Sequence, residues 1–121
     1  KLKSLRKNNN LRKKIANFYN KNLNNKFIEK LNYTKGCVFH QYVIKVRKLK
    51  KFIEFLNYYK IPFSRHYPKP IHKLYSLKPF FKNEVYKNAE ELSKSCISLP
   101  VNPLLKKKDL SFICECINKF N

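Results

Sequence analysis

The residues of this chain with the most chemistry to offer lie between positions 65 and 75. Arg65-His66-Tyr67-Pro68-Lys69-Pro70-Ile71-His72, followed by Tyr75, places two histidines, two tyrosines and two prolines within eleven positions, directly after a short apolar run. Imidazole N–H, phenol O–H and guanidinium groups are hydrogen-bond donors suited to oxygen-rich ligands. Proline fixes φ, and the residue before it is pushed toward extended geometry. The segment therefore cannot be helical. It reads as a stiff loop that presents polar aromatic side chains, the manner in which binding residues are commonly carried. Residue type alone does not name the ligand.

Other chemistries find less support. A cysteine–histidine nucleophile would need a cysteine beside His66, and the sequence places none there. Cys37, Cys96, Cys114 and Cys116 form no C-x-x-C pair. On a helix, the two-residue step from Cys114 to Cys116 turns about 200°, so the two thiols face opposite sides and no zinc site is expected. Small buried apolar residues in a reducing compartment are the reading we adopt for the cysteines. Gly36 is the only glycine, which excludes a glycine-rich phosphate loop. No catalytic residue and no metal ligand is expected in this chain.

The elements that must position the loop follow from periodicity. Residues 2–23 read as an amphipathic helix with Leu11, Ile15, Phe18 and Leu23 near one stripe. Residues 27–33 are ambiguous between the breaks at Asn24-Asn25 and Lys35-Gly36. Residues 37–46, rich in Val, Ile, Phe and Tyr, read as a strand with Val38, His40, Tyr42, Ile44 and Val46 on one face. On that face His40 is expected to be a hydrogen-bonded core histidine. A helix is expected over residues 48–59, with Leu49, Phe52, Ile53 and Leu56 on its stripe. Residues 61–64 read as a short strand that leads into the loop. Asn83 is the expected N-cap of a helix over residues 84–96, with Val85, Ala89, Leu92 and Cys96 apolar. Ile97 to Pro100 is a short extended piece, in which Ser98 is a turn or strand-end residue. A last helix is expected over residues 107–119, with Leu110, Ile113, Ile117 and Phe120 on one side and Asp109 favourable in its first turn. This order implies an α+β fold, an α/β sandwich with a small sheet and helices packed on it, preceded by a long N-terminal helix.

Composition sets the outer bounds. The 121 residues suffice for one domain with a modest core. The chain has no methionine and begins Lys1-Leu2-Lys3, so it is expected to be a fragment or a trimmed piece. The net charge is +21, which predicts long-range attraction to anionic ligands. Of the 28 basic residues only Arg6, Arg12, Arg47 and Arg65 are arginine. The rest are lysines spread along the chain, beside abundant Asn, Ile, Phe and Tyr, all products of A/T-rich codons. A dedicated nucleic-acid face would favour arginine, so the charge is read as a codon effect. A small basic nucleic-acid-binding module, with aromatics interleaved with lysine, is the alternative reading. No run of 18 apolar residues and no signal-peptide core is present, so no membrane partner and a cytoplasmic location are expected.

Taken in order, these pieces resemble the C-terminal part of the DegT/DnrJ/StrS-type sugar aminotransferases, pyridoxal-phosphate enzymes of the aspartate-aminotransferase fold (fold type I). Leu11-Arg12-Lys13-Lys14-Ile15-Ala16-Asn17-Phe18-Tyr19 resembles the family's R-x-x-I-A-x-x-Y helix, and His40-Gln41-Tyr42-Val43-Ile44 its H-x-Y-V-I strand. Residues 48–61 match the helix before its G-I turn, with Lys60 where the family usually has glycine. A non-glycine residue there must avoid positive φ or accept strain. His66-Tyr67-Pro68-Lys69-Pro70-Ile71-His72 resembles H-Y-P-x-P-L-H. Asn88-Ala89-Glu90-Glu91-Leu92-Ser93 fits A-E-x-L-A/S, and Ser98-Leu99-Pro100-Val101-Asn102-Pro103 resembles S-L-P-x-x-P.

The resemblance implies a division of labour. The whole enzyme would use pyridoxal phosphate (PLP) to move an amino group, typically from glutamate, onto a keto-sugar nucleotide for polysaccharide or antigen sugar biosynthesis, and would act as a homodimer. Residues 1–25 would be a linking helix and residues 26–121 the small C-terminal domain. The cofactor domain, with the Schiff-base lysine, the aspartate that pairs with the pyridine nitrogen and most of the phosphate cup, would lie upstream. His66 and Tyr67 are then expected to donate to diphosphate or sugar oxygens, with Tyr75, Arg65 and His72 as further substrate-binding candidates. The isolated chain is expected to hold no cofactor and to be inactive by itself. Pro68 and Pro70 would lower the ordering cost of the loop on binding.

Overall fold

Strand pairing begins with alternation. Tyr42, Ile44 and Val46 are buried, while Val43 and Lys45 between them are only half-buried. A period of two sends the first set to one face of a sheet and the second to the other. In the computed structural model, which describes residues 2–82 and 84–121, this segment is β2 (Tyr42–Val46), the centre of a three-stranded sheet. On one side it pairs antiparallel with β1 (Ile28–Lys30), Ile28 opposite Val46. On the other it pairs antiparallel with β3 (Cys96–Leu99), Tyr42 opposite Leu99 and Ile44 opposite Ile97. Three helices cover the buried face: α1 (Leu2–Asn22), α2 (Leu49–Tyr58) and α4 (Lys107–Asn118). A fourth, α3 (Lys87–Ser95), lies against the opposite face. The mixed fold of sheet and helices is thus the one expected.

The core is rich in aromatic rings. Tyr19 and Tyr42 are fully buried, with ring centroids 4.9 Å apart, and Tyr33 stacks on Tyr42 at 5.8 Å. Burying a phenol requires a partner for its hydroxyl. Tyr19 donates to the Pro100 carbonyl at 2.8 Å and Tyr42 to Asn20 Oδ1 at 2.6 Å. Burial raises both phenols above the usual tyrosine range. Phe52, Phe55 and Phe120 form a second cluster, with Phe120 edge-on to both phenylalanines. Asn25 donates to the Ile117 and Phe120 carbonyls, and Asn118 donates to the Asn22 carbonyl while accepting from the Asn24 N–H. These bonds tie the end of α1 to the end of α4. The second half of α1 is therefore part of the core, through Ile15, Ala16 and Tyr19, whereas Leu2 and Leu5 near its start are exposed.

Several expectations are corrected. Residues 37–41 are not strand. Continuing the β2–β3 register would place Gln41 opposite Pro100, which has no N–H to give. Phe39 adopts a φ of 53° and is buried, which leaves Val38 and His40 exposed on either side. His40 is thus a surface residue and not a core histidine. Residues 61–64 are not a strand either. Ser64 and Ser98 form an isolated bridge, and the same register sets Pro62 against Pro100, two residues without N–H groups. The ambiguous stretch yields β1, where Tyr33 extends the pairing: its hydroxyl donates to the Val43 carbonyl and accepts from the Val43 N–H. Residues 84–86 are not helical, because α3 starts at Lys87, and the expected cap Asn83 lies outside the described residues. Val85 and Leu92 of the expected apolar stripe are exposed. Cys114 and Cys116 are both buried, and burial beside Glu115 pushes the Cys114 thiol up to about 11.

α2 ends in a Schellman arrangement. The Ile61 N–H reaches the Leu56 carbonyl at 2.9 Å and the Lys60 N–H reaches the Asn57 carbonyl at 3.0 Å, with Leu56 and Ile61 both buried. Lys60 occupies the position that glycine usually fills and takes a φ of 55°. A side chain in this region costs about 1–2 kcal/mol, partly offset in glycine by its greater unfolded-chain entropy. Lys60→Gly is expected to stabilise the chain by about 0.5–1 kcal/mol. Thermal denaturation of the two proteins checks this, and an unchanged or lower midpoint would show that the turn is not strained.

Candidate functional site

β3 alternates as β2 does. Ile97 and Leu99 enter the core, which turns Cys96 and Ser98 toward the face of Val43 and Lys45. α3 covers that face only in part. The loop that begins at Arg65 rises over the rest and encloses an open cleft of about 550 Å³. Its floor is Val43 and Cys96, its far wall Ala89, Leu92 and Ser93 of α3, and its near wall His66, Tyr67, Pro70 and Ile71 of the loop.

Each candidate residue has a distinct setting. His66 shares a 3.0 Å hydrogen bond between its Nδ1 and Ser98 Oγ, which fixes the imidazole at the rim and leaves Nε2 for a ligand. Tyr67 follows across a cis peptide, packs edge-on to the His66 ring and is 74% exposed. These two lie together at the cleft. Arg65 turns away from it: its Nη2 donates to the Ser93 carbonyl, and its Nε is buried without a hydrogen-bond partner. His72 is only 7% exposed, and its Nε2 lies 3.1 Å from Glu90 Oε1. Its ring packs against Tyr86 and Phe81, with centroids 4.9 and 6.3 Å away. His72 is largely buried, with its Nε2 engaged by Glu90, and its ring also borders the cleft. Tyr75 is 96% exposed, two residues past the short 3-10 turn at Ile71–Lys73, and does not line the cleft.

Three residues shape the site in ways the sequence did not indicate. Ser98 lies near the end of β3, as a strand-end residue, and is also a buried hydrogen-bond partner of His66, while its backbone pairs with Ser64. Glu90 and Ser93 anchor the two ends of the loop on α3. The order of the H-Y-P and S-L-P segments was the available signal for Ser98, and the A-E-x-L-A/S segment that for Glu90 and Ser93; neither said what these residues touch. His40, displaced to the surface, lines a smaller depression of about 230 Å³ that also touches His66 and Ser98.

The charge pattern is specific. Glu90 accepts from Lys73 Nζ at 2.5 Å as well as facing His72, and the hydrogen bonds from Lys73 and then His72 hold its carboxyl below the usual glutamate value. Lys45 lies 3.6 Å from both Glu29 and Glu91, which draw its ammonium upward in pKa, Glu29 first. Among the residues lining the cleft, Lys69 is the one lysine and is exposed, and no carboxylate faces the space. An internal aldimine needs an enclosed lysine, and a pyridinium nitrogen needs a carboxylate. The residues that line this cleft therefore do not by themselves fit pyridoxal phosphate. Among the described residues no cluster of histidine, cysteine or carboxylate side chains could hold a metal, and no helix is long and apolar enough to cross a membrane.

The family model of the DegT/DnrJ/EryC1/StrS aminotransferases matches residues 1–118, and the chain belongs to that family. A dTDP-3-amino-3,6-dideoxy-alpha-D-galactopyranose transaminase of Aneurinibacillus thermoaerophilus is 28% identical over 122 residues, which are 99% of this chain and 33% of the relative. DesV of S. venezuelae, solved in complex with a ketimine intermediate, superposes with a TM-score of 0.84 at 18% identity, over 98% of this chain and 33% of that one. A Streptococcus pneumoniae structure described as a sugar aminotransferase in its PMP-form gives a TM-score of 0.81 at 23% identity, over 97% and 31%. The chain spans about a third of the length of these relatives.

The depressed Glu90 carboxyl gives a pH dependence. A carboxylate held below its unfolded value stabilises the fold above that value, and the contribution is lost as pH falls. The gap in thermal midpoint between wild type and Glu90→Gln is expected to be present at neutral pH and to close as pH falls below the ordinary glutamate value of 4.5. Melting curves across that range check it; a gap that persists unchanged in acid would assign the stability to another group.

Proposed function

We propose that this chain is the substrate-loop portion of a PLP-dependent sugar aminotransferase, and that the complete protein transfers an amino group from a donor such as glutamate to a keto-sugar nucleotide. The observation that carries this reading is the pairing of His66 and Tyr67 on the rim of an apolar cleft, in a chain of this family. Imidazole N–H and phenol O–H are suitable donors to diphosphate or sugar oxygens. Val43, Ala89 and Leu92 set an apolar surface beside them, and the net charge of +21 draws an anionic ligand in. The first half of α1 would link to the cofactor domain, and the complete protein would be a cytoplasmic homodimer. The family relatives in ketimine and PMP forms support the cofactor for the complete enzyme. In this reading the chain binds and orients substrate and leaves the covalent step to residues outside it, so by itself it is inactive.

Calorimetric titration with dTDP tests the reading. Hydrogen bonds to charged groups contribute roughly 1.5–3 kcal/mol, or about 10- to 100-fold in affinity. His66→Ala and Tyr67→Phe are each expected to weaken binding by about tenfold or more. Affinity unchanged in both variants would remove the two residues from the site. Tight binding of oligonucleotides with a steep salt dependence would favour a nucleic-acid module instead.

A further inference from the structure

Arg65 and His72 bracket the residues of the loop that face the cleft, and one helix holds both. Arg65 Nη2 donates to the Ser93 carbonyl, and His72 Nε2 meets Glu90 Oε1 one turn earlier on α3. Ser93 Oγ in turn donates to the Glu90 carbonyl at 2.8 Å, which joins the two anchor points. The same helix is tied to the sheet by its next residue, since Glu91 lies 3.6 Å from Lys45 of β2. Consecutive helical residues point about 100° apart, so Glu90 can face the loop while Glu91 faces the sheet. The outer partner, Lys73, is half-exposed, and ion pairs in that setting contribute little. The inner partner, His72, is buried between Tyr86 and Phe81 and needs an acceptor there.

We propose that Glu90 is a positioning residue: by accepting from His72 it fixes the distal end of the loop on α3, and so sets where His66 and Tyr67 stand over the cleft. The proposal rests on the reading of those two residues as ligand donors. α3 then acts as the ruler of the site, with its position taken from the sheet, since it runs directly into β3 at Cys96. Glu90 touches no ligand itself. What it supplies is the hydrogen-bond acceptor at the end of a buried imidazole, and the glutamine amide oxygen could take its place.

The test measures loop order and ligand affinity separately, in the 121-residue chain. Four variants are compared with wild type: Glu90→Leu, which removes the acceptor; Glu90→Gln, which keeps one; His72→Phe, which keeps the ring contacts but not the N–H; and Lys73→Ala, which removes the outer pair. Side-chain NMR relaxation of the Tyr67 ring and amide exchange over residues 65–72 read the loop. Amide exchange in β2 and α4 reads the core, and dTDP titration reads the site. In Glu90→Leu and His72→Phe the loop amides are expected to exchange at least tenfold faster and the Tyr67 ring to gain mobility, with core exchange unchanged and dTDP affinity reduced about tenfold. Glu90→Gln and Lys73→Ala are expected to keep loop exchange and dTDP affinity near wild type, the cost of Glu90→Gln showing in the thermal midpoint alone. A loop as ordered in both Glu90→Leu and His72→Phe as in wild type would overturn the proposal, as would Glu90→Gln behaving like Glu90→Leu. If Glu90→Leu does not fold, His72→Phe decides alone. A loop that loosens as expected in a chain that binds no dTDP would uphold the clamp and refute the ligand reading.

Discussion

The structure depends on the two-sided pairing of β2. Every backbone group of a central strand must be matched on both edges, and its side chains must separate by face. Ile28 and Ile97 flank it through pairing with Val46 and Ile44, while Tyr42, Ile44 and Val46 send the core one way. Three helices can then close over a single apolar face, and Val43 and Lys45 are left for the other. Without that division there would be no surface for α3 to lean on and no floor for the cleft. The tyrosines show how closely the register is held. Tyr42 reaches Asn20 on α1, and Tyr33 caps Val43 where β1 has run out. A one-residue slip would bury Val43 and Lys45 and turn Tyr42 outward.

The second tier of the architecture is made of hydrogen bonds rather than apolar contact. The cleft wall formed by α3 buries little; Ser93 is its one buried residue. What holds loop, helix and sheet in register is a set of polar ties: Ser64 to Ser98, His66 to Ser98, Arg65 to Ser93, His72 to Glu90 and Lys45 to Glu91. Such ties are directional, and those made by buried groups such as His72 and Ser98 leave a partner unsatisfied when broken, which gives the loop a defined seat. Leu92 of α3 stays partly exposed on this wall.

The sequence carried the helices well, for a simple reason. α1, α2 and α4 bury stripes at helical spacing, and Leu49, Phe52, Leu56, Leu110, Ile113 and Ile117 lie where periodicity puts them. It carried the strands poorly because their limits are set by partners. Residues 37–41 have strand composition but would meet Pro100, and Pro62 denies residues 61–64 a ladder. β1 has only three residues and exists through its pairing with β2. The site divides in the same way. His66 and Tyr67 stood out by type and by their place in a proline-stiffened loop. Ser98, Glu90 and Ser93 fell within quoted segments, but their roles were not legible, because these come from contacts 18 to 32 residues away along the chain. His72 drew notice for its chemistry, and burial gave it a different task.

The central claim is that the anionic end of a nucleotide ligand meets this chain at the loop over the cleft, and not across its many dispersed lysines. Hydrogen-exchange mass spectrometry with and without dTDP, read peptide by peptide, tests it most directly. The account predicts slower exchange confined to residues 64–72 and the adjoining end of β3, with α1 and residues 26–35 unchanged. Protection spread over the lysine-rich surface of α1, or none at the loop while other segments are protected, would contradict it.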